Sequence, residues 1–582
     1  MAEAARWTRF QFLKAAITVA VACFLFVVLS SNFSSNKSVT FDETIYTVLA
    51  QGSLHQRAWD PRVSRLGIAP LPLLLTHVPA SAGSSKLRED HFRGRPDDLL
   101  QVMHARRWAI FLFGCPIVAI VTVWLIRRRG FLAGLAGGLL VAGSPSVIAH
   151  GSLATTDACF TLSVLVVAAG CTSFLQLPSK GRFTLLCALC GLAFSAKYSA
   201  IAIAPLLGLA VMQWTRRSTG WRHACRNVVI ALLIAAVIIC GVAWVIHGFQ
   251  SVPFDPSTES TSAWRVPAPI AGLRAQILHQ RRGHSAFLLK QRSIMGWWYY
   301  FPVTVFAKNT PPELCAFFMA FMSAVLFVVR WCNRWRRQTN GEKDIKQETA
   351  DASVYPSSLA PLCWSILILS FWLAAIVSSV NIGHRHLLPL MPLSILLWVD
   401  IVSSFGIRKK LTILLILVTA QLINGALARP HYLAYFSPLI GGPLHGHVWL
   451  SDSNLDWGQD LPALRKWMDQ YPDRHCRLIY FGTADIGSAG LSVTRWQNKD
   501  LQQLEEFDFL AISVTVLQQT YPLMGSPWGS EKPNATLMKN LFNETPMARA
   551  GHSIWIFDVR KSPALRSMAA EAIPLNNSEC LP

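Results

Sequence analysis

Charge is scarce in this chain: Asp, Glu, Lys and Arg make up 15% of its 582 residues, while hydrophobic residues make up 52%. A soluble domain needs more charge than that to cover its surface, so the composition excludes one. Acids are scarcer than bases, 32 against 53, and the net charge is +21. The basic residues are scattered among apolar runs and form no contiguous reading surface, which excludes nucleic acid as a partner. No internal repeat, parallel or inverted, is visible, and that argues against a transporter assembled from repeats. No His-Glu-x-x-His zinc motif is present. Cysteine says little, because eleven of the thirteen lie in or beside hydrophobic runs and act there as small apolar residues. Only Cys476 and Cys580 fall in the C-terminal region, and a disulfide between residues so far apart is a weak expectation.

What is abundant is apolar sequence of membrane-spanning length. Eleven spans are expected, at 15–30, 108–126, 131–148, 154–176, 183–196, 198–214, 227–247, 312–330, 359–380, 386–403 and 411–428. The fifth and sixth are either one long tilted helix or a hairpin around Lys197. The basic clusters Arg127–Arg129, Arg216–Arg226, Arg330–Arg337 and Arg408–Lys410 all fall on the cytoplasmic side only if 183–214 crosses twice. The N-terminus is then cytoplasmic, the first span is a retained signal anchor, and residues 31–107, 249–311 and everything beyond about 430 lie outside. Polar residues 339–355 read as a cytoplasmic linker. Before Met295 the 249–311 loop carries six Lys or Arg against Asp255 and Glu259, which points to an anionic partner such as lipid headgroups or a lipid phosphate.

On the outer face the chemistry-bearing residues gather. Asp42 and Glu43 follow the first span by about ten residues, and acids beside a membrane face are costly enough to need a reason. A carboxylate there can take a proton from a hydroxyl nucleophile; the competing reading is a helix cap. His150 to Asp157 places a second acid on the same face, where Asp42 and Asp157 are also candidate ligands for a divalent ion. Arg65 precedes a proline-started helix at Ala69–Leu75. Lys197 stands at the proposed hairpin tip, Lys308 ahead of the eighth span, and Arg385 in the short loop Asn381–His386. Cations at that level suit a phosphate, arginine by bidentate hydrogen bonding.

The ordered set Phe41-Asp-Glu-Thr, His150-Gly-Ser-Leu-Ala-Thr-Thr-Asp, Gly191-Leu-Ala-Phe-Ser-Ala-Lys-Tyr-Ser, Trp297-Trp-Tyr-Tyr-Phe-Pro with Lys308-Asn-Thr-Pro, and Gly383-His-Arg-His-Leu-Leu-Pro resembles glycosyltransferase family 39. That family holds the protein O-mannosyltransferases and, more distantly, the lipid A aminoarabinose transferases. The resemblance covers residues 41 to about 460. It implies a polytopic helical membrane protein with the C-type glycosyltransferase fold. The donor would be a polyprenyl-phosphate sugar, the acceptor a hydroxyl on protein, lipid or glycan, and the transfer inverting. By that resemblance Asp42 is the catalytic base, Glu43 its neighbour and Asp157 the second acid, while Lys308 and Arg385, with Lys197 and Arg65 near them, meet the donor phosphate. The 249–311 loop is too short for the sugar-binding β-trefoil of the O-mannosyltransferases. That puts a protein acceptor in doubt and leans towards a bacterial inner membrane.

Residues 1–430 thus read as the transmembrane catalytic domain and 431–582 as a small α/β extracytoplasmic domain. Strands are expected at Arg477–Phe481, Phe507–Val514 and Ser553–Val559. Near its start lies Leu450-Ser-Asp-Ser-Asn-Leu-Asp-Trp-Gly-Gln-Asp460. Asp452, Asn454 and Asp456 are spaced like the opening of a calcium loop, but glycine comes one position late and Ala463 stands where a bidentate Glu is wanted. Contact with acceptor or sugar, in which Gln459 would share, and a turn capping the next helix are the other readings. A transporter of a lipid-linked or anionic solute is the rival function, although the charges cluster at one face rather than at the midplane.

Overall fold

The computed structural model describes residues 8–81, 96–215, 221–255, 264–339, 348–487, 489–521 and 534–572. Among them eight helices are long and apolar enough to cross a bilayer: Arg9–Ser35, Leu99–Arg129, Thr156–Gln176, Tyr198–Thr215, Arg222–Ile246, Pro311–Asn333, Leu359–Ile376 and Ile407–Leu427. The first begins at a reciprocal cap, Thr8 Oγ1 accepting from the Gln11 N–H while the Gln11 side chain accepts from Thr8.

Two of the expected spans differ, each for a local reason, and 183–214 divides at Lys197 as the two-span reading expects. The 131–148 span is two helices, Phe131–Ala142 and Pro145–Ser152, bent by 67°. Ser144 caps the second helix and Pro145 opens it, so a straight helix cannot run through. Residues 183–214 are two elements, because Lys197 is extended between the helix Lys180–Ala196 and the turn Tyr198–Ile203. In place of a span at 386–403 there is a 3₁₀ turn, His384–Leu387, followed by a helix of only 13 residues, Leu390–Val402, whose residues are almost all buried. At 1.5 Å per residue it reaches about 20 Å, short of a hydrocarbon layer of about 30 Å. Among the described residues eight helices qualify by length and composition, and the bent pair makes a ninth.

The bends put backbone turns and polar side chains at one rim of the bundle. There the helix Phe41–Gln56 starts with Asp42 and Glu43 in its first turn, and the expected proline-started helix is present as Leu71–Ser81. The 249–311 loop folds into two small antiparallel hairpins, 251–253 with 265–267 and 286–288 with 291–293, joined by the helix Ala268–Arg282.

The C-terminal region is α/β. Its mixed five-stranded sheet runs in the order Thr494–Arg495, Cys476–Ile479, Phe509–Ser513, Ile554–Asp558, Ala548–Ala550. The first two pairings are parallel and the last two antiparallel. All three expected strands are present within one or two residues of their expected ends. One apolar core nevertheless runs without a break from Phe26 and Phe113 among the membrane helices to Trp457, Trp555 and Leu565 beyond residue 431. Cys476 is a buried free thiol, and Cys580 and much of the 339–355 linker lie outside the described residues.

Candidate active site

The rim site is built around one arginine. Arg385 sits in the 3₁₀ turn His384–Leu387, which Gly383 lets approach the Leu450–Asp460 segment closely. A Cβ at 383 would fall 2.2 Å from Ser453 Oγ. The turn is fixed further by the His384 N–H, which donates to Asn454 Oδ1 at 2.8 Å. From there Arg385 Nη1 donates to Asp42 Oδ2 at 2.6 Å and lies 3.8 Å from Asp157 Oδ2. Lys197 Nζ meets the other oxygen of Asp157 at 2.5 Å. Four residues picked out by sequence, Asp42, Asp157, Lys197 and Arg385, thus form one connected cluster. Burial works against the charge on Arg385, but Asp42 and Asp157 outweigh it and hold the guanidinium firmly protonated. Asp42 is the open member: its side chain is 22% exposed, whereas that of Asp157 is wholly buried.

Glu43 departs from its expected role beside the base. Its carboxylate is saturated: Oε2 accepts from the Thr40 N–H and hydroxyl and from Arg106 Nη2, and Oε1 accepts from Arg106 Nε and the Ala154 N–H. Burial pushes its pKa up, but the Arg106 ion pair and these N–H groups more than reverse that and hold it below the usual carboxylate range. Arg106 also donates to the carbonyls of Ser34, Lys37 and Ser38. Glu43 therefore ties the helix that carries Asp42 to its neighbours and has no lone pair left for a substrate.

Lys308 is also redirected. Its ammonium donates to three backbone carbonyls, of Leu433 at 2.8 Å, Tyr435 at 2.6 Å and Asn454 at 2.5 Å, and stands over the Phe436 ring. Burial drives its pKa well down. With three donors spent on carbonyls it is a peg for the 433–454 crossing rather than a ligand for phosphate. Arg65 ends the short helix Pro61–Arg65 and is half-buried, close enough to Asp60 to lower that acid's pKa.

The Leu450–Asp460 motif is buried and its side chains diverge. Asn454 bonds His384 and Tyr300, Asp456 accepts from the N–H groups of Thr515 and Gly458, and Gln459 spans from the Trp457 N–H to the Leu455 carbonyl. Divergent acids do not make a calcium loop, and the motif is a structural knot between sheet and bundle. Burial raises Asp456 to about 8. Of the motif's acids, Asp452 turns to the site: its carboxylate accepts from the Tyr521 hydroxyl, and burial raises its pKa with Arg385 opposing. Nor do Asp42 and Asp157 fit a shared divalent ion, because Arg385 stands between them and Lys197 covers the second face of Asp157. No cluster of three His, Cys, Asp or Glu with metal-holding geometry occurs among the described residues; the Cys187-x-x-Cys190 pair is buried within the helix Lys180–Ala196.

Sequence reasoning missed Arg106, Trp457 and His386. Arg106 had one signal, a cation at the head of an apolar run. Beside the cluster a cavity of about 470 Å³ opens between the Ala268–Arg282 helix and the membrane helices. Ile201, Ile277 and Val377 line it and are themselves exposed, while Arg281 and His386 are among its polar groups. His386 feels the charges of Lys197, Arg385 and Asp157. Its Nε2 and the Nε of Arg385 are both buried without a hydrogen-bond partner.

The described residues thus form a multi-pass helical bundle with an acid–cation cluster at one rim. Residues 99–244, about a quarter of the chain, match the family described as dolichyl-phosphate-mannose-protein mannosyltransferase. No curated protein matches the sequence. Among solved structures the chain is similar to ArnT from Cupriavidus metallidurans bound to undecaprenyl phosphate, with 13% identity, 93% of this chain and 97% of that chain covered, and a TM-score of 0.44. The apo state of the same protein gives the same identity and coverage with a TM-score of 0.43.

Proposed function

We propose that the chain moves a sugar from a polyprenyl-phosphate carrier to a hydroxyl acceptor at the extracytoplasmic rim, in one inverting displacement. The carrying observation is the open Asp42 carboxylate on Arg385, whose Nε is buried and unpartnered, next in sequence to His386, which lines an apolar cavity and whose Nε2 is also unpartnered. Buried donors without acceptors are rare because each forfeits about 1–3 kcal/mol. A phosphate would satisfy both, and the cavity would take the first isoprenoid units of the carrier. That the matched family is described by a polyprenyl-phosphate sugar donor supports the same reading.

In this mechanism Asp42 accepts the proton of the acceptor hydroxyl as its oxygen bonds to C1 of the sugar. The C1–O bond to phosphate breaks on the opposite side, and its electron pair stays on the phosphate oxygen. Arg385 stabilises the charge that gathers there. Asp157 and Lys197 fix Arg385 from behind. The N-terminus is cytoplasmic and the C-terminal region extracytoplasmic, in keeping with the short basic loops on the opposite side. The acceptor is a protein, lipid or glycan hydroxyl, and the membrane is a bacterial inner membrane.

The test is donor turnover by purified protein with a panel of radiolabelled polyprenyl-phosphate sugars and a membrane extract as acceptor. Release of lipid phosphate that is lost in Asp42→Asn is the expected result. Failure with every donor, together with movement of a lipid-linked solute across liposomes, would replace the transferase by a transporter.

A further inference from the structure

Asp42 and Arg385 come from segments 343 residues apart, and each is tied to a third segment, by its side chain or by its neighbour's backbone. Trp457 is common to both ties. Its carbonyl accepts the Phe41 N–H at 3.1 Å, fixing the residue immediately before Asp42. Its indole lies under the guanidinium of Arg385, with Cζ 4.2 Å from the ring centroid. Trp457 itself is 2% exposed. Its N–H is held by Gln459 Oε1 at 2.7 Å. Gly458 follows with φ of +83°, where an added Cβ would strike Gly482 Cα at 2.8 Å, so the turn that presents Trp457 tolerates little change.

The surroundings are equally specific. Ser38 donates its N–H to the Gln459 carbonyl. The ring of Phe481 is stacked between Phe41, at 5.7 Å, and Tyr521, at 5.4 Å. The link carrying Asp42 is therefore clasped between two parts of the C-terminal region. A cation over an indole face that is shielded from water is held by the ring's electron-rich face, and that contact leaves the edge of Arg385 free to hydrogen-bond.

We infer that Trp457 is a positioning residue for the Asp42–Arg385 pair, and that the C-terminal region is thereby part of the active site rather than an appended module. The inference rests on the proposed transfer reaction for its kinetic consequences but not for the contact itself. Misplacing a catalytic pair by about 1 Å costs on the order of 100-fold in rate. Trp457→Leu, which deletes the ring and keeps the carbonyl, should lower kcat by about 10- to 100-fold while donor KM changes less than about threefold. Trp457→Phe restores an aromatic face and should recover most of that loss. In an Arg385→Lys background the same Trp457→Leu change should cost less than about threefold, because the planar cation that the ring carries is gone.

Equal losses in both backgrounds, or a fall only in the fraction of folded protein with kcat per donor-binding site unchanged, would overturn the inference. A double-mutant cycle of Trp457→Leu with Arg385→Gln, read as thermal midpoint in detergent, needs no substrate. The expected result is a double variant less destabilised than the summed single shifts, and strict additivity refutes the contact. Absence of wild-type turnover with every donor would sink the transfer reaction, and this cycle would still decide the role of Trp457.

Discussion

Asp42 and Glu43 are neighbours with opposite fates, and the difference lies in what each carboxylate has left to give. Asp42 keeps one oxygen on Arg385 and part of its surface open, so Asp42→Asn should lower turnover by at least about 100-fold, a loss out of proportion to any fall in thermal midpoint because Asp157 still faces the guanidinium. Glu43 is fully committed to Arg106, so Glu43→Gln leaves a buried guanidinium short of its counter-charge. That variant should lose about 3 kcal/mol of stability, seen as a lower midpoint and poorer yield in detergent. Lys308→Met separates the phosphate and peg readings of that lysine. Three carbonyls lose their donor, so the midpoint should fall and donor KM in the surviving protein should hold. Sequence located all four cluster residues because ionisable groups at a membrane rim are conspicuous. It could not separate Lys308 from Arg385, because whether a cation faces a cavity or a row of carbonyls depends on the 433–454 crossing, more than a hundred residues away from Lys308.

At the scale of elements, apolar length was legible and straightness was not. The break at Ser144-Pro145 turns one expected span into angled pieces, whereas the extended Lys197 falls where the two-span reading of 183–214 puts its turn. On the bundle's other elements, Asp400 takes paired donors from both Arg128 and Arg129. Asp400→Asn should therefore destabilise by about 1–2 kcal/mol, allowing for the partial exposure of the arginines. Either arginine alone should be replaceable at a smaller cost, and the two replacements together should cost more than their sum. In the sheet region Asp456 gives a pH signature. Its folded pKa of about 8 lies above the usual aspartate value of 3.8. The raised pKa contributes stability that is complete below about 4 and lost as pH rises through about 8. Thermal midpoints of wild type should thus fall relative to Asp456→Asn as pH rises from about 4 to about 8, and level off above that.

Over the whole molecule, the division at residue 431 marks a change from helix to sheet but not a break in packing, since one core spans both sides. Composition shifts revealed the first and had no means of revealing the second. A two-domain reading expects the C-terminal region to melt by itself; the shared core predicts a single cooperative transition, which calorimetry in detergent will distinguish.

The wide separation of Asp42 from Trp457 along the chain also sets an order of events during synthesis. Ribosomes add about 5–20 residues per second, so roughly 400 residues between them amount to some 20–80 seconds. Throughout that interval the nascent chain has Asp42 and lacks both the carbonyl that ties its helix and the indole that lies under Arg385.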